Sequence, residues 1–171
     1  DISNGRTEEQ VRADAADMMD KRAAEGDPYF FVGLPSAVTG PYDTVTLPAG
    51  THNNDWELEL VAVVGRRAYQ LSEDEALDAI AGYTIANDLT TRELVFRRDM
   101  PEIGTDWLRA KNAPGFLPLG PWIVPKEDAG DVSEMRLTLE LDGKAMQDES
   151  TKDMLFGVAA LVAAVSQTVQ L

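Results

Sequence analysis

The sequence contains no cysteine and a single histidine, His52. A disulfide framework and a thiolate zinc site are excluded, and the redox compartment is not readable from this chain. His52 lies in the polar loop Thr51-His52-Asn53-Asn54 and reads as solvated, so no serine–histidine–aspartate or cysteine–histidine nucleophile set can be assembled around it. Positive charge is scarce as well: 15 Lys and Arg stand against 30 Asp and Glu, for a formal net charge of -15. Such a surface repels phosphate backbones and anionic headgroups, so no nucleic acid and no membrane is expected as a partner, whereas divalent cations and small substrates are compatible. The most apolar stretch, Met154 to Val165, is too short to cross a bilayer and reads as a buried helix. There is no glycine-rich phosphate loop after a strand, no internal repeat and no low-complexity tract. No basic stretch with an apolar signal core opens the chain; it begins with Asp1 rather than Met, which is compatible with a removed leader, and a cytoplasmic location is the default expectation.

What is present suffices for one globular domain, since 171 residues at 44% hydrophobic composition can bury one substantial core. Thr7 and Gln10 form a capping box, after which Val11, Ala15, Met18, Met19 and Ala23 recur at helical spacing through Glu25. Residues 1–27 therefore read as an acidic amphipathic helix and its stop, and residues 28–171 as the body of the domain. Strands are expected at Tyr29 to Val32, Thr44 to Leu47, Trp56 to Val64, Tyr83 to Ala86 and Trp122 to Val124. Met135 to Leu141 alternates before the Asp142-Gly143 turn, predicting a hairpin. Ser72 with Glu75 caps a helix to Gly82, Thr90 or Thr91 a short one through Phe96, and a last helix runs from Thr151 to about Val169. Strands dominate and helices are peripheral, which predicts a β-rich α+β fold with a mostly antiparallel or mixed sheet.

In Asp55-Trp56-Glu57-Leu58-Glu59-Leu60, period-two geometry places Glu57 and Glu59 on one face, roughly 7 Å apart by the strand rise. Taken alone, this pattern is an antiparallel strand with one wet face. The continuation Val61-Ala62-Val63-Val64 turns both faces apolar, and two glutamates at the end of such a strand call for positive charge. A divalent cation meets that need, and hard oxygen donors select magnesium, manganese or calcium over zinc or copper. Asp88, after Tyr83-Thr84-Ile85-Ala86, is a third candidate donor, although by itself it reads equally as a turn or cap aspartate. Lys111 and Arg92 are the cations available to an anionic substrate. In isolation, Lys111 reads as a surface lysine.

The order of these motifs is more specific than any one of them. Asp55-Trp56-Glu57-Leu58-Glu59-Leu60 through Gly65, then Ala81-Gly82-Tyr83-Thr84-Ile85-Ala86-Asn87-Asp88-Leu89-Thr90, then Lys111 ahead of Pro118-Leu119-Gly120-Pro121-Trp122, resembles the fumarylacetoacetate hydrolase family. The resemblance runs from about Pro28 onward and includes the hairpin at Gly143 and the Met154 to Phe156 helix start. It implies a mixed β-sandwich or β-roll of the family's C-terminal domain type, usually dimeric, with magnesium or manganese held by Glu57, Glu59 and Asp88 and calcium standing in for either in crystals. It further implies cleavage of a carbon–carbon bond in an acylpyruvate or other 2-oxo or 1,3-dicarbonyl acid, the metal stabilising an enolate. Decarboxylation, isomerisation or hydration of a 2-oxo acid, and non-catalytic binding of metal or a small acid, are the alternatives.

Lys111 matches the family lysine beside the developing oxyanion, and Arg92 an arginine four residues after the metal aspartate that serves substrate binding. Family hydrolases carry a His-x-x-Glu pair on a lid helix. Here Arg22-Ala23-Ala24-Glu25 matches it, leaving Glu25 as the candidate base and Arg22 as a substrate-binding candidate, since arginine is no base near neutral pH. Gly33 and Val95 replace a family lysine and glutamine. The family continues past the position of Leu171 into a Pro-Gly-Asp turn and a Thr-Gly-Thr segment, so the resemblance implies a fold incomplete at its C-terminus.

Overall fold

The computed structural model describes residues 5–171. In chain order the elements are α1 (Glu8–Glu25), β1 (Val38–Thr39), β2 (Asn54–Asp55), β3 (Leu58–Val64), α2 (Glu73–Ala79), β4 (Ile80–Asn87), β5 (Thr90–Thr91), α3 (Trp107–Lys111), β6 (Leu117–Pro118), β7 (Val124–Pro125), β8 (Arg136–Leu141), β9 (Lys144–Ser150) and α4 (Val158–Ser166). The result is the β-rich α+β fold expected. Strands β3, β4 and β7 form an antiparallel sheet, β8 and β9 a hairpin, β2 and β5 an antiparallel pair, and β1 and β6 a parallel one.

The core lies where α2 and α4 meet one face of β3 and β4. Ala68, Leu71, Ala76, Ala79, Ile80, Tyr83, Val162 and Ala163 are buried there, with Leu60, Ala62 and Val64 packed against them at the two-residue period of a strand. Alanine at 76, 79 and 163 lets the two helices approach closely. Ser166 Oγ is fully buried, accepts the Leu71 N–H at 3.0 Å and donates to the Ala163 carbonyl at 2.7 Å, which ties α4 to the start of α2. The hairpin turns at Asp142 and Gly143, both with positive φ (52° and 76°), the conformation a two-residue turn of this kind requires.

Several boundaries differ from the sequence reading. Helix α2 has its Ser72–Glu75 capping box but stops at Ala79, because Ile80 to Gly82 already belong to β4. Gly82 is a point of close approach rather than a helix end: a Cβ there would meet the Val124 carbonyl oxygen at 2.4 Å. Tyr29 to Val32 is not a strand. Its flank is fastened to a side chain instead, the Asn112 amide accepting from the Leu34 N–H and donating to the Val32 carbonyl. Thr44 to Leu47 is likewise irregular. Directly after β5 comes a short 3-10 turn, Arg92–Leu94, without a side-chain cap. The last helix starts only at Val158 after Gly157, a separate 3-10 turn occupying Thr151–Asp153. Helix α1 has the Thr7–Gln10 box and the expected end, yet none of its residues is buried. Two of its five spaced apolar positions, Ala15 and Ala23, are too small to extend a packed stripe, and Met18 and Met19 stay exposed. No helix among the described residues is long and apolar enough to cross a membrane.

Candidate metal centre

Glu57 stands one residue before β3, Glu59 is its second residue, and Asp88 follows β4 directly. The antiparallel register pairs Leu58 with Asn87 and Glu59 with Ala86, which carries all three carboxylates to one end of the sheet. The junction is pinned by the Asp88 N–H donating to the Glu57 carbonyl at 2.8 Å and the Glu57 N–H donating to Asn87 Oδ1 at 3.1 Å. On the far side of β3, the Gln147 side chain completes the backbone of Leu58, accepting from its N–H at 3.0 Å and donating to its carbonyl at 2.9 Å. One carboxylate oxygen from each of Glu57, Glu59 and Asp88 lies within 4.8 Å of the others.

Two cations face this cluster. Lys111, at the end of α3, is 4% exposed and donates from Nζ to Glu57 Oε2 at 2.8 Å and to Asp88 Oδ2 at 2.6 Å. Its ammonium also sits 5.1 Å from the Phe31 ring centre and 5.6 Å from that of Trp107, the two rings being stacked. Arg92 spans two carboxylates, with Nε 2.8 Å from Asp55 Oδ2 and Nη2 2.6 Å from Glu57 Oε1. Thr90 Oγ1 lies 3.4 Å from the same Glu57 oxygen.

Burial raises the Asp88 carboxyl above its usual range, and Lys111 pulls against that shift. Glu59 is pushed up to about 7, first by burial and next by the negative charge of Asp88, with Lys111 opposing and Glu57 adding to it. By surface area Glu59 is nonetheless exposed. Its open surface faces a groove of about 580 Å³ that it lines with Leu58, Leu60, Leu137 and Phe156, so the carboxylate is surrounded by protein without being covered. The fit to a hard divalent ion rests on this donor set. Two donors at about 2.1 Å from one ion are at most about 4.2 Å apart, so closing the observed spread takes only small rotamer changes. All three donors are carboxylates, whose charge one 2+ ion together with Lys111 and Arg92 would offset.

The structure thus brings together Glu57, Glu59, Asp88, Lys111 and Arg92. Glu25 and Arg22 stay apart on exposed α1, and among the described residues neither makes a side-chain hydrogen bond or ion pair with the cluster. His52 is exposed; its backbone N–H donates to Glu93 Oε1. Sequence reasoning missed Asp55, Phe31, Trp107 and Gln147. Asp106, the N-cap of α3, was a legible sign that Trp107 and Lys111 share one short helix, since its side chain accepts from the Arg109 N–H.

Residues 3–171 match the family model described as fumarylacetoacetate (FAA) hydrolase C-terminal. The chain is 37% identical over 145 residues to 2,4-didehydro-3-deoxy-L-rhamnonate hydrolase of Sphingomonas sp. (strain SKA58), a match covering 85% of this chain and 49% of that protein. It is 34% identical over 143 residues to a mitochondrial oxaloacetate tautomerase of Homo sapiens, covering 84% and 44% respectively. Among solved structures, the crystal structure of 2-hydroxyhepta-2,4-diene-1,7-dioate isomerase from Mycobacterium marinum superposes with a TM-score of 0.76 at 34% identity, over 86% of this chain and 55% of that one. The chain spans about half the length of the curated relatives it matches.

Proposed function

The chain belongs to the fumarylacetoacetate hydrolase family, and from that premise we propose that it carries the metal-binding site of an enzyme that cleaves a carbon–carbon bond in a small 2-oxo or 1,3-dicarbonyl acid. One observation carries the reading: a buried ammonium, Lys111, donates to two of three clustered carboxylates. Glu57, Glu59 and Asp88 would hold the cation, magnesium or manganese being the fit for oxygen donors. When bound, such an ion supplies Lewis-acid chemistry, drawing electron density from a substrate carbonyl and steadying negative charge on its oxygen.

The protein's own part follows from its charges. Lys111 has a dry, aromatic-backed ammonium beside the cluster, suited to meet an oxygen that turns negative as the bond beside the carbonyl breaks. Arg92 has two guanidinium nitrogens occupied by Asp55 and Glu57, and its Nη1 is the donor left for a substrate carboxylate. Glu25, with Arg22 one turn before it, would serve as base and anion contact if α1 folds over the site. Homodimerisation and a 2-oxo acid as the substrate complete the proposal. Relatives named as hydrolase, tautomerase and isomerase share this scaffold, so the reaction is to be found by assay.

A second reading has its own support. Glu25 lies on a helix that buries nothing, away from the cluster among the described residues, and isomerisation or tautomerisation of a 2-oxo acid moves a proton within the substrate and consumes no water, so it does not call for the water-activating role given to Glu25. The test is magnesium- and manganese-dependent turnover across acylpyruvates, oxaloacetate and other 2-oxo acids. Glu57→Ala and Asp88→Ala should abolish it, and full activity in either variant overturns the metal reading. Cleavage products with acylpyruvates support hydrolysis; proton exchange without cleavage supports the second reading.

A further inference from the structure

We infer that Asp55, acting through Arg92, is a positioning residue that presets the orientation of Glu57 for metal binding; the inference rests on the metal reading above. Asp55 uses both of its carboxylate oxygens. Oδ1 accepts the Trp56 N–H at 3.0 Å, and Oδ2 accepts from Arg92 Nε at 2.8 Å. The same guanidinium then reaches Glu57 Oε1 with Nη2 at 2.6 Å, while Lys111 holds Glu57 Oε2 at 2.8 Å. Glu57 therefore has one cation on each oxygen, and its carboxylate plane is fixed by the pair. Charges alternate along the path Asp55, Arg92, Glu57, Lys111, Asp88.

This is more than a surface ion pair because both ends are anchored through the backbone. Asp55 lies in β2, paired with Thr90 of β5, and the Arg92 N–H donates to the Asn53 carbonyl at 2.8 Å. Glu93, next to Arg92, grips the same segment from the opposite direction: Oε1 accepts the His52 N–H at 2.7 Å and Oε2 the Asn53 N–H at 3.0 Å. The segment 52–57 and the turn bearing Arg92 are thus locked together, so the guanidinium loses little freedom by bridging two carboxylates. A planar fork can span Asp55 and Glu57 at once, and an ammonium, being a point charge, is unable to. Without Asp55, Nε loses its partner, and Nη2 is directed toward Glu57 by that ion pair alone.

Manganese binding to the intact chain, measured by titration calorimetry, tests this. Partners that orient metal ligands from behind are typically worth about 10–100-fold in affinity. Asp55→Asn and Arg92→Lys should each weaken manganese binding by about 10-fold, at the low end of that range. The double variant should be no weaker than either single one, because both act on Glu57 by one route. A purely structural role for Asp55 would lower the melting temperature and leave the manganese affinity of the folded protein unchanged; that result overturns the inference. Should Asp55→Asn fail to fold, Arg92→Lys decides, wild-type affinity overturning the inference and a loss supporting it. Absence of manganese binding by the wild type overturns the metal reading and this inference together.

Discussion

Lys111 Nζ and Asp88 Oδ2 lie 2.6 Å apart, and both residues are buried, at 4% and 5% exposure. Removing one partner of such a pair leaves a charge with neither water nor counter-ion, which typically costs about 3–5 kcal/mol. Lys111→Met should therefore destabilise the metal-free protein by about that amount, and saturating manganese should restore most of the melting temperature by supplying the missing positive charge. Thermal melts with and without the ion check this. An unchanged metal-free melting temperature contradicts it.

Stability should respond to pH through Glu59. Its carboxyl is raised from 4.5 to about 7 on folding, so its contribution is complete below pH 4.5 and is lost as pH rises through about 7. Glu59→Gln, a permanent mimic of the protonated form, should match the wild type near pH 4.5 and exceed it at pH 8 in the absence of metal. Manganese should reverse the order at pH 8. Urea unfolding at both pH values gives the comparison, and a gap that does not move with pH refutes the assignment.

Gln147 joins the β8–β9 hairpin to the strand that carries the glutamates, through both backbone groups of Leu58. Gln147→Ala leaves that N–H and carbonyl without partners, at a cost of about 1–3 kcal/mol for each group that stays buried. Denaturant titration should show the loss, and hydrogen exchange at the Leu58 amide should accelerate. Unaltered protection there would mean the hairpin is held in place by other contacts.

Gly82 allows β7 to lie against β4, a Cβ at this position meeting Val124 O at 2.4 Å and Ile123 Cγ2 at 2.7 Å. Gly82→Ala should force the strands apart and cost about 1–3 kcal/mol. Denaturant titration would detect it; a neutral substitution would mean that β7 yields without loss.

The fold was legible where one local signal faced no competitor. The Thr7 and Ser72 capping boxes and the Asp142-Gly143 turn stand where the sequence puts them, and the run expected from Trp56 to Val64 is strand from Leu58 onward. Misreadings occurred where tertiary contacts decided. Aromatic Tyr29 to Val32 has strand composition, but Asn112, about eighty positions away, takes the backbone groups at its flank. Ile80 to Gly82 continue a helical pattern and are drawn into β4 by pairing with β3. The carboxylate cluster was legible because Glu57 and Glu59 are two residues apart at the start of β3 and Asp88 directly follows its paired strand β4. Asp55 was not, since its significance depends on Arg92 reaching back 37 residues to it, a relation that spacing alone does not encode.

The first helix is capped and charged, and none of its residues is buried. The described residues therefore give it no packing that favours a closed position. In the lid role proposed for Glu25, closure would have to be driven by the bound ligand, which can shift that equilibrium only by as much as it favours the closed state. Helix position would then report occupancy of the site, and substrates too short to touch both α1 and the carboxylates would leave it open.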